Sequence, residues 1–211
     1  MTALILAAAF LGFLHTVLGA DHYVPFISMS RLGAWSGTKT FRVTFLSGLG
    51  HVGSSISICV VGLVFAVNVG KLQAFEGARG SAAAWAMLIF GFIYLVFGIK
   101  KIFSRKEREE ISELKRKKDM SAWILFAVFV FGPCEPLIPV VMLPAAKYGY
   151  AHAAAAALAF SVATIATMLA LVMGSYYGLN KLQFKGWEKY SHALAGGAVF
   201  ACGFAMAFLG M

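Results

Sequence analysis

Six apolar stretches, at about 2–30, 40–69, 81–103, 122–146, 150–178 and 187–210, account for most of the chain, and each is long enough to cross a bilayer as a helix. A helix needs about 20 apolar residues to span the hydrocarbon layer, whereas a barrel strand needs only about 10. Backbone groups inside that layer must be satisfied within the segment or across a closed barrel, so runs of this length predict an all-α membrane protein with six transmembrane helices. Only 13% of the residues are charged, against about 25% in a soluble domain. Six spans leave no room in 211 residues for a separate soluble enzyme domain, and an enzyme is not expected. The net charge of +9 is dispersed between the apolar runs and not gathered on a solvated face, so nucleic acid is not an expected partner.

The first and fourth stretches stand apart. All five prolines lie in them, Pro25 in the first and Pro133, Pro136, Pro139 and Pro144 in the fourth. Proline removes a backbone donor and clashes with the preceding turn; such breaks are tolerated in a membrane only against protein or a cavity. Helices 1 and 4 are therefore predicted to be broken. The breaks also match: Asp21 and Glu135, Pro25 and Pro139, Ile27 and Val141, and Ser47 and Ser161 share one 114-residue step. Gly91, Phe92 and Gly98 meet Gly203, Phe204 and Gly210 at a step of 112. Two homologous three-helix repeats follow, 1–103 and 120–211, joined by a basic linker at 104–119. Three spans per half is an odd number, so the second half is inserted upside down, as in many transporters.

Basic residues set the orientation. Three lie in the 1/2 loop (Arg31, Lys39, Arg42), nine between Lys100 and Lys118, and three in the 5/6 loop (Lys181, Lys185, Lys189), fifteen on one side against Lys71, Arg79 and Lys147 on the other. The positive-inside rule puts the fifteen in the cytoplasm and both termini outside, in a multi-pass protein of the plasma (inner) membrane. The 100–118 segment interleaves both signs with Ile111 and Leu114, the pattern of a short surface helix or a solvated linker. The N-terminal run has no basic flank and no small-residue cleavage site, and reads as a retained span. Cys59, Cys134 and Cys202 are widely spaced and odd in number, which does not make a disulfide framework.

Asp21 and Glu135 are the acids that fall within the expected spans, and a carboxylate there costs several kcal/mol unless it is paired, solvated or protonated. His15 and His22 are seven residues apart and share a helix face; His51 follows in the glycine-rich SGLGHVGSS. Imidazole and carboxylate together suit divalent nickel, cobalt, zinc or iron. Cys134 precedes Glu135 in FGPCEPLIP, where its thiol is a candidate soft ligand or redox group. Cys59 and Cys202 read as packing residues.

LHTVLGADHY followed by GLGHVGSS resembles the nickel/cobalt permeases and the related urease-accessory transporters, whose first helix carries His, four residues, then Asp-His. Here five residues, Thr16 to Ala20, intervene. The resemblance implies metal roles for His15, Asp21 and His22. FGPCEPLIPVVMLPA resembles the transmembrane electron carriers of cytochrome c biogenesis and of periplasmic disulfide reduction, which share the inverted three-plus-three plan and need one cysteine per half. The position 114 residues before Cys134 is Ala20, so the partner thiol is missing there.

The function expected is transport of a divalent transition-metal ion, nickel or cobalt first, with His15, Asp21, His22 and His51 from one half and Glu135 and Cys134 from the other as ligands. Asp21 and Glu135 are the expected proton-coupling groups, since metal and protons compete for the same ligands. The metal is cargo and no resident cofactor is expected; the partners are the ion, the bilayer and, in a homo-oligomer, further copies of the chain. The alternatives are a thiol-disulfide electron carrier acting through Cys134 and a proton-linked exporter of a small organic or sulfur-containing solute. The topology is checked by labelling single cysteines in intact cells with a membrane-impermeant reagent: positions in 100–118 should stay unlabelled until the cells are opened.

Overall fold

The structure is a computed structural model that describes residues 1–103, 118–181 and 190–209. The described part is helical throughout. In chain order, α1 (Thr2–Leu18) leads through a single 3-10 turn (Ala20–His22) into α2 (Val24–Leu32). Then come α3 (Gly37–Val64), α4 (Val69–Phe103), α5 (Lys118–Phe131), α6 (Leu137–Tyr148), α7 (Tyr150–Lys181) and α8 (Ser191–Leu209). Four of these, α3, α4, α7 and α8, are long and apolar enough to cross a membrane; α1 and α2, bent by 84° at their junction, make a fifth if taken as one span. The expected surface helix around Ile111 and Leu114, together with Lys185, Lys189 and Gly210, lies outside the described residues.

Both breaks form beside the prolines, although Pro144 lies inside a continuous helix. In the first, α1 stops at Gly19, whose N–H still reaches the His15 carbonyl at 3.0 Å, and Pro25 sits in the first turn of α2. A proline there loses no hydrogen bond, because first-turn N–H groups have no partner within the helix. In the second, α5 ends at Phe131, residues 132–136 cross over, and Pro139 lies in the first turn of α6. The short helix α6 ends at Gly149, with φ of 89°, and α7 begins at the next residue.

The third apolar stretch differs from expectation. Its helix, α4, starts at Val69 and not near 81. Glu76 and Arg79, expected in a polar loop, are therefore inside a 35-residue helix about 52 Å long, and Glu76 is fully buried. Hydropathy windows discount such a pair because each charge is counted alone, whereas in the fold each neutralises the other.

The closest helix contact joins α4 to α8. A Cβ on Gly91 would meet the Phe200 backbone at 2.3 Å and one on Gly98 the Ala193 backbone at 2.3 Å. From the other side, Gly196 faces Leu95 and Gly203 faces Leu88, each at 2.4 Å from backbone nitrogen. As one index rises the other falls, so the helices run antiparallel with glycines seven residues apart on both. In lipid no hydrophobic drive separates helix from helix, and close van der Waals approach of small residues takes its place.

Gly98→Leu is expected to destabilise the protein by more than the roughly 1–3 kcal/mol of ordinary overpacking, since the obstruction is backbone. The check is the thermal midpoint in detergent, with Ile89→Leu, on an exposed face, as a control expected to leave the midpoint unchanged.

Candidate metal centre

Gly19 ends α1 because nothing larger fits: a Cβ there would lie 2.5 Å from His22 Nδ1 and 2.9 Å from Asp21 Oδ1. The 3-10 turn that follows aims the His22 ring back along α1. His22 Nε2 comes within 3.1 Å of His15 Nε2, seven residues earlier in the chain. The third imidazole arrives from α3. His51 stands edge-on to His22, with ring centres 5.0 Å apart, and parallel to His15 at 6.1 Å. One nitrogen from each ring lies within 4.8 Å of the other two.

The rings are held from behind. His22 Nδ1 lies 3.1 Å from both the Gly19 carbonyl and Asp21 Oδ1. His51 Nδ1 lies 3.3 Å from the Phe129 carbonyl at the end of α5. Carbonyl and carboxylate oxygens accept only, so Nδ1 carries the proton in both rings and Nε2 presents its lone pair. This is how metal-binding histidines are oriented in proteins. The ring of Phe129, 5.5 Å from His22 and 4.8 Å from His51, and that of Phe160, 5.9 Å from His15, wall the cluster with apolar surface.

Of the six residues singled out in the sequence, the structure brings His15, His22 and His51 together as facing donors. Asp21 stands one step back, as the partner of His22. Cys134 approaches from the second break, its Sγ 3.7 Å from His15 Nε2. Glu135 is not drawn into the cluster: it is exposed beside Gly77 of α4. The turn that carries Cys134 inward points the next residue away, so adjacency in sequence separates these two side chains.

The sequence reading missed Glu76 and Arg79. Arg79 Nη1 donates to Glu76 Oε1 at 2.6 Å, while its Nη2 donates at 3.0 Å both to Ser54 Oγ and to the Val130 carbonyl of α5. The other carboxylate oxygen, Glu76 Oε2, accepts the Cys134 N–H at 3.2 Å. The signal that would have found the pair is its i, i+3 spacing, which places opposite charges on one helix face. Along α3, Thr44, Ser47, His51 and Ser55 share a buried face, and the hydroxyls of Thr44, Ser47 and Ser55, with that of Ser161 on α7, have no hydrogen-bond partner. The three cysteines are free and buried.

Comparison with protein-family models, with curated proteins and with solved structures finds no match to this chain.

Arg79→Leu is expected to destabilise the protein by about 3–5 kcal/mol, because it leaves a buried carboxylate without its counter-charge. Arg79→Leu combined with Glu76→Gln should recover part of that loss. Chemical or thermal unfolding of the purified variants measures both.

Proposed function

We propose that the chain is a membrane transporter of a divalent transition-metal ion, of the kind its motifs resemble in the nickel/cobalt permeases. One observation carries this reading: three imidazoles, two of them fully buried, converge from α1, the 3-10 turn and α3, and two of them donate through Nδ1 to outer acceptors, one of these the intramembrane acid Asp21. A lone buried histidine is commonly a hydrogen-bond donor. Here one contact can be such a bond, His15 Nε2–H donating to His22 Nε2 at 3.1 Å, but His51 Nε2 is left without a partner among the described residues, and a cation satisfies all three rings at once.

The membrane arrangement we propose has six crossings, with α1–α2 and α5–α6 as the two broken spans, in halves of opposite orientation. Support comes from the matched breaks and from the α4–α8 contact. Shifting by 112 residues turns the Gly91–Phe200 contact into the Gly203–Leu88 contact, as a two-fold axis between the halves requires. The basic linker faces the cytoplasm of a plasma (inner) membrane, and both termini face outward. The unpartnered hydroxyls of Thr44 and Ser47 on one side of His51, and of Ser55 on the other, give α3 a polar face along which a partly dehydrated ion can be passed. Protons compete with metal for imidazole, which makes proton antiport the natural coupling, with Asp21 attached to the cluster and Glu135 at the second break.

The direct test is metal binding by the purified protein, with uptake into reconstituted vesicles. His22→Ala and His51→Ala are each expected to abolish binding of Ni²⁺ and Co²⁺. Asp21→Asn, which keeps the size but weakens the hold on His22, should weaken affinity about 10–100-fold. Affinity should fall with pH, since protonating an imidazole removes its lone pair. Binding unchanged in both His22→Ala and Asp21→Asn would defeat the reading.

Glu135→Gln, which removes a titratable proton but leaves the cluster intact, is expected to preserve metal binding and slow proton-coupled uptake. The thiol-disulfide alternative makes the opposite forecast for Cys134→Ala, namely total loss of activity with no dependence on metal.

A further inference from the structure

Two distances around His15 compare directly with the edges of a coordination polyhedron. An ion held at 2.0–2.1 Å by imidazole nitrogen and 2.3 Å by thiolate sulfur, with tetrahedral angles, sets a nitrogen–nitrogen edge of about 3.3 Å and a nitrogen–sulfur edge of about 3.6 Å. With the right angles of square-planar or octahedral coordination, the same bonds give about 2.9 Å and about 3.1 Å. The structure has 3.1 Å between the Nε2 atoms of His15 and His22, and 3.7 Å between His15 Nε2 and Cys134 Sγ. The nitrogen–sulfur edge is close to the tetrahedral value and the nitrogen–nitrogen edge lies between the two, while the three imidazole nitrogens together spread over 4.8 Å, so His51 has to close on an ion bound at His15 and His22.

A fourth donor stands beside His15. Cys134 is fully buried, and its position is fixed through its backbone N–H by Glu76, itself held by Arg79. Asp21, the carboxylate at the cluster among the described residues, is occupied with His22 Nδ1, and Glu135 is exposed elsewhere. The donors left are the three imidazoles and the thiol beside His15. His51 Nε2 is buried and lacks any protein partner among the described residues.

We infer that Cys134 completes a tetrahedral site with His15, His22 and His51, and that the cargo is a divalent ion that accepts four-coordination by three imidazoles and a thiolate, zinc or cobalt ahead of nickel. The inference rests on the metal-transport reading and narrows it. Nickel(II) favours square-planar or octahedral surroundings, and an indifferent site binds it more tightly than cobalt(II). A site that reverses this order does so by geometry. Glu76 and Arg79 are positioning residues here: they touch no ion, and they hold the segment that presents the thiol.

The experiment is titration of the purified full-length protein with Co²⁺, read by absorption, followed by competition with Zn²⁺ and Ni²⁺. Tetrahedral cobalt gives intense visible ligand-field bands, and thiolate ligation adds a sulfur-to-cobalt charge-transfer band in the near ultraviolet. We expect both in the native protein, Zn²⁺ displacing Co²⁺ at least tenfold more effectively than Ni²⁺ does, and Co²⁺ bound no more weakly than Ni²⁺. Cys134→Ser should lose the charge-transfer band and at least tenfold in Co²⁺ affinity, whereas Cys202→Ser should keep both. Glu76→Gln should dim the charge-transfer band relative to the ligand-field bands, which a merely global destabilisation would lower together. A weak octahedral spectrum, an unaltered spectrum in Cys134→Ser, or Ni²⁺ bound tenfold more tightly than Co²⁺ would overturn the tetrahedral assignment and leave metal binding standing. Absence of binding by all three ions would overturn the metal-transport reading and this inference with it. If Cys134→Ser does not fold, the native spectrum and the order of ions still decide.

Discussion

A helix broken inside an apolar layer leaves free carbonyls at one end and free N–H groups at the next beginning, and everything about this site follows from how those groups are satisfied. At the second break the partners are side chains of other helices. His51 takes the Phe129 carbonyl, Arg79 takes the Val130 carbonyl, and Glu76 takes the Cys134 N–H. Each unsatisfied group would cost several kcal/mol in hydrocarbon. The residues that complete the break are therefore also the ones that fix the imidazole and the thiol.

This dual use explains why charge sits so deep. Arg79 lies ten residues inside α4 and also bonds Ser54, whose hydroxyl donates to the His51 carbonyl at 2.9 Å. A buried ion pair is weak evidence for stability in itself, because desolvation offsets the attraction. Here the pair also accepts from the Cys134 N–H and donates to the Val130 carbonyl and the Ser54 hydroxyl, and each of those bonds is charge-assisted. The cluster and the pair thus share a single network across α3, α4 and the second break.

Much of this was legible in the sequence. The two breaks were marked by proline, whose backbone consequences are local. His15, His22 and His51 were recognisable because polar rings in apolar runs need a reason to be there. Glu76 was hidden: a loop was expected where α4 extends twelve residues before the apolar window begins, and only the tertiary pairing with Arg79 makes that extension tolerable. Glu135, expected among the ligands, lies outside the cluster. Its match to Asp21 at the 114-residue step concerns chain position, whereas the direction of a side chain beside a proline turn depends on torsions that spacing does not specify.

The α4–α8 contact has a consequence for how the chain can vary. Its four glycines face backbone atoms, not side chains. An ordinary core clash can be relieved by trimming the residue opposite, and such pairs of changes let packed surfaces drift over time. Across this contact nothing can be trimmed, since the opposing atoms are nitrogen, Cα and carbonyl carbon. Substitution at Gly91, Gly98, Gly196 or Gly203 therefore has no compensating partner across the interface, and any suppressor must act by letting an entire helix shift.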